Sequence, residues 1–145
     1  MSTAGKVARV ANPTYEPMAY SQSGYRSFRA FYPYYLGEHS NAICRRLHLV
    51  GTTLSLGIFT RALLASLPLL ALSKDRRLDV LRFGTDGWKS IGRLVLGGFL
   101  QGYVWAWVGH FFFERNKPAT FKHPFYSFRG DLRLWWEVMS LQRRP

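Results

Sequence analysis

The chain has four histidines, in Glu38-His39-Ser40, Arg46-Leu47-His48, Gly109-His110-Phe111 and Lys122-His123-Pro124. Two of them, His48 and His110, bracket a pair of apolar runs at residues 47–72 and 94–113. If the runs fold back on each other as an antiparallel hairpin, the start of the first meets the end of the second. His48 and His110 then share one end of the hairpin, with His39 just outside it. Imidazoles brought together from distant parts of a chain are what a metal site requires. A single interfacial histidine is ordinarily a hydrogen-bonding anchor, so the shared depth of the pair carries this reading. With a carboxylate from Glu38 or Glu114 the set suits a non-haem Fe(II) site with open coordination positions. Haem ligation by His48 and His110 from facing helices is a second arrangement.

The elements that must position these side chains follow from the apolar pattern. Residues 94–113 form a run of 20 without Lys, Arg, Asp or Glu. At about 1.5 Å per residue such a helix reaches across a hydrocarbon core of about 30 Å. Gly97, Gly98, Gly102 and Gly109 let another helix approach it closely. The first run carries Arg61 near its middle, where a charge costs about 2.5–3.5 kcal/mol on insertion scales. Arg61 must therefore pair, snorkel, or mark a break near Thr60, with another at Pro68. The expectation is a helix over 41–64 with an irregular continuation. On it Asn41, Arg45, His48 and Thr52 share one face, and His110 and Glu114 share a face on the second helix. Between the runs, Leu78, Leu81 and Phe83 with Arg77 and Arg82 predict a short surface helix, and Asp86-Gly87 a turn. Residues 125–141 place Phe128, Leu132, Trp135, Trp136 and Met139 at helical spacing among charges, predicting an interfacial amphipathic helix. The fold class expected is an all-α membrane protein. Its centre is an antiparallel transmembrane helical hairpin with flanking amphipathic interfacial helices, and both ends of the chain lie on one side.

The bulk numbers are consistent with that architecture. A chain of 145 residues holds one domain. The division expected is a polar N-terminal extension over 1–27, a single membrane domain over 28–141 and a tail over 142–145. Twenty Lys and Arg against eight Asp and Glu give a net charge of +12, which calls for an anionic partner. The basic residues flank the apolar runs rather than forming one stripe, which excludes nucleic acid in favour of anionic lipid head groups. Aromatics, 17% of the chain, cluster at the ends of the runs as an interfacial belt would. Cys44, the single cysteine, forms no intrachain disulfide and reads as a buried, inert thiol. The first 28 residues lack the apolar core of a secretory signal. Lys6 and Arg9, with no acid before Glu16, are compatible with a mitochondrial targeting segment and equally with a polar arm.

Three stretches carry a family resemblance: FYPYYLGEHS at 31–40, RLHLVGT at 46–52, and GYVWAWVGHFFFERNKPATFKHP at 102–124 continued by 127–132. Over about residues 28–139 the chain resembles the small membrane proteins related to the yeast 2-hydroxy fatty acid dioxygenase of α-oxidation, closest to their compact bacterial-type branch. The resemblance implies a membrane enzyme that uses Fe(II) and dioxygen to shorten a 2-hydroxy fatty acid by one carbon. Carried over by position, the metal ligands are His39, His48 and His110, and His123 falls outside the pattern. Beside them, Glu114 and Arg45 are the candidate catalytic side chains. Arg45, Arg46 and Lys117 are the candidates to hold the substrate carboxylate. The partners implied are membrane lipids and the fatty acid, in the endoplasmic reticulum or the mitochondrial inner membrane. The loop at 73–93 and residues 1–27 depart from the pattern. They keep open a second reading, a non-catalytic accessory subunit bound to protein partners in a larger membrane complex, such as a mitochondrial one, with the histidines retained for structure, lipid or metal.

Overall fold

The computed structural model of the chain describes residues 10–70, 80–82 and 84–145, which contain helices and no strand. Ser27 starts α1 (Phe28–Gly37) by accepting a hydrogen bond from the Ala30 N–H. Seven of the ten residues of α1 are buried, Phe31, Tyr32, Tyr35 and Leu36 almost completely. It is therefore a core helix, and replacing one such aromatic by alanine costs about 3–5 kcal/mol.

Helix α2 (Ala42–Leu70) runs without a break, which corrects the expected end at residue 64. Pro68 lies in its last turn, where the single backbone bond it removes falls at the fraying end rather than in the interior. The helix also passes Arg61 without interruption, at an exposed position. Helix α3 (Trp88–Val108) follows Gly87, which adopts φ 78° as the turn demands. It continues as a π-helical segment, Gly109–Glu114. Of the surface helix expected between the runs, Arg77, Leu78 and Phe83 lie outside the described residues, and 80–82 form one tight 3-10 turn.

Helices α2 and α3 pack antiparallel, because their contacts run in opposite order along the two chains. Gly109 meets Cys44, Gly102 meets Ser55, and Gly98 meets the Phe59 ring. A Cβ at Gly109 would lie 2.9 Å from Cys44 Sγ, and one at Gly98 2.5 Å from Phe59, so small residues set this spacing. Gly97 faces open space and plays no part. The Ser55 hydroxyl and the Gln101 amide lock the pair by donating to the Gly98 and Gly51 carbonyls. Among the described residues α2 is the helix long and apolar enough to cross a membrane. Helix α3 opens with Lys89 and Arg93, and part of its apolar run belongs to the π-helical segment.

At one end of this pair, α1 and α4 (Pro124–Met139) form a second layer. The face of α4 that is buried, Ser127, Gly130, Leu134 and Glu137, repeats at helical spacing against α1. Phe125, Phe128, Trp136 and Met139 stay exposed. Residues 11–25 belong to the same layer: Tyr15 is buried in the core, with Ala11, Tyr20 and Tyr25 packed against it. Both ends of the described chain meet there, since Arg143 donates to the Asn12 carbonyl at 2.8 Å.

Glu137 joins these parts. It accepts from Tyr32 at 2.9 Å, from Arg133 at 2.9 Å and from Arg143 at 2.7 Å. Burial alone would raise its carboxyl, but the hydrogen bonds from Arg143, Arg133 and Tyr32 outweigh it and hold the group below the usual carboxylate range. The folded chain thus binds fewer protons here than the unfolded one. This stabilisation is complete above the ordinary carboxylate range and is lost as pH falls through the depressed value. Glu137→Gln, which leaves Arg143 buried without its counter-charge, should cost about 3–5 kcal/mol at neutral pH. It should also flatten the fall in thermal midpoint on acidification; equal slopes for variant and wild type in detergent would contradict this account.

Candidate metal centre

Three histidines arrive at one place from three elements. His39 follows α1, His48 is near the end of the second turn of α2, and His110 is in the π-helical segment. All three are buried, and their ring centroids are 4.4 Å (His39–His48), 4.7 Å (His39–His110) and 5.0 Å (His48–His110) apart. Cys44 joins them: one donor atom from each of the four lies within 4.8 Å of the others.

The ring partners decide what these imidazoles can do. His39 Nδ1 is 2.6 Å from the Tyr35 carbonyl, and His48 Nδ1 is 2.7 Å from Asp131 Oδ1. Carbonyl and carboxylate only accept, so both Nδ1 atoms carry the proton. His110 Nδ1 is 2.7 Å from Asn116 Oδ1, whose orientation is fixed because its Nδ2 donates to the Glu38 carbonyl at 3.1 Å. In all three rings Nδ1 is engaged, and burial holds His39 and His110 neutral, so these two present Nε2 as a lone pair. The Nε2 atoms of His39 and His48 are buried without a hydrogen-bond partner. Burial, reinforced by the neighbouring His48 and His110 rings, holds the His39 imidazole well below its ordinary pKa, hence neutral. Clustered buried rings whose Nε2 atoms lack partners fit a cation. Nitrogen with sulfur suits a borderline transition metal rather than magnesium or calcium. His39 packs against both other rings, so no haem plane fits between His48 and His110.

Local chain chemistry sets this geometry. The Asn41 side chain caps α2 by accepting from the Ile43 N–H at 2.8 Å. Glu114 accepts from the N–H groups of Ser40 and Asn41 at 2.9 and 2.8 Å and from the Ser40 hydroxyl. Its charge lies at the positive end of the α2 dipole and ties the π-helical segment to the start of α2. That segment ends at Arg115, whose φ of 57° is left-handed, and the N–H groups of Arg115 and Asn116 both donate to the His110 carbonyl. Widened turns of this kind recur at functional sites, where they re-aim a side chain. Gly130 allows α4 to lie on the Tyr35 ring, 2.8 Å from where a Cβ would be. Asp131 then reaches both the Tyr35 hydroxyl, at 2.5 Å, and His48.

The other residues singled out in the sequence have separate places. Arg45 is buried and donates to the carbonyls of His39 and Ser40 at 2.9 and 2.6 Å. Arg46 and Lys117 are exposed. Glu38 faces Asn116, and His123 lies apart, bonded to Tyr20 at 2.9 Å. Neither Glu38 nor Glu114 belongs to the donor group, whose fourth member is Cys44. Sequence reasoning missed Cys44 as a neighbour of the histidines, and missed Asp131, Asn116 and Tyr35 as ring-nitrogen partners. The i+4 step from Cys44 to His48 was the available signal for the first. Asp131 lay within the quoted stretch 127–132 but was not recognised.

From His48 and Asp131 a cleft of about 150 Å³ runs between α2, α3 and α4, past Thr52 and Leu56, to the packed rings of Phe59 and Phe99. Its walls are mostly apolar, with Thr52, Ser55 and Tyr103 among them and His48 and Asp131 at one end. The arrangement can hold a metal ion at a polar end and an apolar chain along the cleft.

No curated protein and no solved structure matches this chain. Residues 25–143 match a family described as 2-hydroxy-palmitic acid dioxygenase Mpo1-like, which spans all three histidines, Cys44 and the ring-nitrogen partners. The chain belongs to the Mpo1-like family.

Proposed function

We propose that this protein is a membrane-embedded, iron(II)-dependent dioxygenase that shortens 2-hydroxy fatty acids by one carbon at the His39–His48–His110 centre. The observation that carries this is the convergence of three buried imidazoles, each with Nδ1 engaged, beside a largely apolar cleft that His48 lines. The family's description supports the substrate class.

Iron(II) held by the three histidines would supply the activation of dioxygen. The chain's own residues do the rest. Asp131, Tyr35 and Asn116 keep the rings in one tautomer and orientation. The cleft takes the acyl chain, with each buried methylene worth about 0.8 kcal/mol, and excludes water from the reacting end. Arg46 and Lys117, two of the cations exposed at this end, are proposed to meet the carboxylate. Arg45 and Glu114 act through the backbone around His39 and the α2 terminus. Outward-facing Leu54, Leu63 and Leu67 on α2 and Leu96, Leu100 and Val104 on α3 form an apolar surface suited to lipid. Exposed Phe112, Phe125 and Trp136 sit toward the histidine end, where an interfacial belt would lie.

Two experiments test this reading. Purified protein should carry iron and convert a 2-hydroxy fatty acid to the acid one carbon shorter. His110→Ala should lose both properties while still inserting in membranes, and Asn116→Ala should weaken metal binding about 10–100-fold. Intact turnover by an iron-free His110→Ala protein would reject the dioxygenase, and absence of metal with co-migration in a large complex would identify an accessory subunit. Separately, Leu56→Trp, which fills the cleft toward its Phe59 and Phe99 end, should depress turnover of long-chain acids while sparing short ones and iron content. Equal loss for all chain lengths would place the acyl chain elsewhere.

A further inference from the structure

Ahead of the family-matched region, residues 11–16 form a compact, strained turn. Asn12 and Tyr15 both adopt left-handed backbone, with φ 41° and 56°, rare for a bulky residue such as tyrosine. The turn is held by the Asn12 side chain, which accepts from the Glu16 N–H at 2.9 Å and donates to the Glu16 and Pro33 carbonyls at 3.0 and 3.1 Å. Such strain persists only where the surroundings over-determine it, and it concentrates at functional sites.

The surroundings here lead to the histidines. The Arg45 guanidinium lies 3.8 Å from the centre of the Tyr15 ring, and that of Arg143 lies 5.0 Å away. The Tyr15 hydroxyl donates to the Arg144 carbonyl at 2.5 Å. Arg143 donates to the carbonyls of Ala11 and Asn12 and to Glu137. Arg45 turns its Nη1 to the carbonyls of His39 and Ser40. Two residues before His39, Gly37 admits the same segment: a Cβ there would lie 2.5 Å from the Glu16 carbonyl oxygen and 3.0 Å from the Met18 nitrogen. The backbone that carries His39 is thus gripped from both sides, by Arg45 and by residues 16–18.

We infer that residues 11–16 and Arg143 form a clasp that acts through Arg45 to fix the position of His39 in the metal centre. Tyr15, Arg45 and Arg143 are positioning residues, and the inference rests on the metal reading proposed above. His39 follows a helix end, so its ring direction depends on its local backbone far more than that of His48, which sits inside a continuous helix. A site with ligands 4–5 Å apart tolerates little drift, and partners that orient ligands typically change metal affinity 10–100-fold. Coupling is reciprocal: if the clasp tightens the metal site, metal must tighten the clasp.

The test uses the full chain in detergent with Co(II), whose visible spectrum reports its ligand geometry. In the wild type, saturating Co(II) should slow hydrogen exchange at residues 11–18 several-fold. Arg45→Lys keeps the charge but loses the guanidinium that lies over the Tyr15 ring and reaches both carbonyls through Nη1, and should bind Co(II) about 10–100-fold more weakly with an altered spectrum. Tyr15→Phe, which keeps the stacking ring, should stay close to wild type, whereas Tyr15→Ala should behave as Arg45→Lys. Unchanged exchange at 11–18 under saturating Co(II) overturns the clasp, as does wild-type affinity and spectrum in Arg45→Lys. If Tyr15→Ala fails to fold, those two measurements decide. A wild-type protein that takes up no Co(II) overturns the metal reading and this inference with it.

Discussion

One carboxylate oxygen joins three of the four helices. Asp131 Oδ1, on α4, accepts from the Tyr35 hydroxyl on α1 and from His48 Nδ1 on α2. A buried histidine with an unpaired ring N–H, or a carboxylate without donors, would each be costly where this cluster lies. Together they satisfy one another, and in doing so fix the tautomer of His48 and the angle at which α4 crosses the hairpin. Tyr35 extends the constraint, because its carbonyl holds His39 Nδ1 while its hydroxyl holds Asp131. Displacing α4 would therefore disturb two imidazoles, not one.

The polar layer and the apolar hairpin divide the work. Helices α2 and α3 approach closely through glycines and carry aliphatic side chains outward. That gives a rigid scaffold but no orientation for a ring at its end. Orientation comes from outside the hairpin: from α1, from α4, and from the loop after the π-helical segment. The third ring shows the pattern clearly, since the loop N–H groups catch the His110 carbonyl while Asn116 catches its Nδ1. Two orphaned Nε2 atoms are what this investment in orientation leaves exposed to one another. Buried ring nitrogens without a partner are unfavourable in themselves, and a bound cation would remove the conflict.

The all-helical class, the two long runs and the shared end of His48 and His110 were legible in the sequence. Each depends on local periodicity plus the short-range geometry of a hairpin, and both are written in consecutive residues. The unbroken course of α2 past Arg61 and Pro68 was not legible. A proline in a last turn and one between two short helices look alike until the neighbouring helix is placed. Residues 124–139 do form a helix with two unlike faces, but the exposed apolar residues are not those that contact the core, because Ser127, Gly130 and Glu137 occupy the buried face.

By itself the sequence determined that His39, His48 and His110 could act as ligands and that two of them would share one end of the helix pair. Composition and spacing suffice for that, because helix rise and chain reversal are fixed by the backbone. Only the tertiary structure decided how the rings point. Their partners come from residues 83 positions away for His48 and from a single loop asparagine for His110. It also decided that Glu114 would cap α2, that Cys44 would join the histidines, and that residues 11–16 would close on Arg45. Each of these depends on where separate elements dock, and docking is set by complementary burial and hydrogen-bond satisfaction across the whole fold rather than by any local pattern.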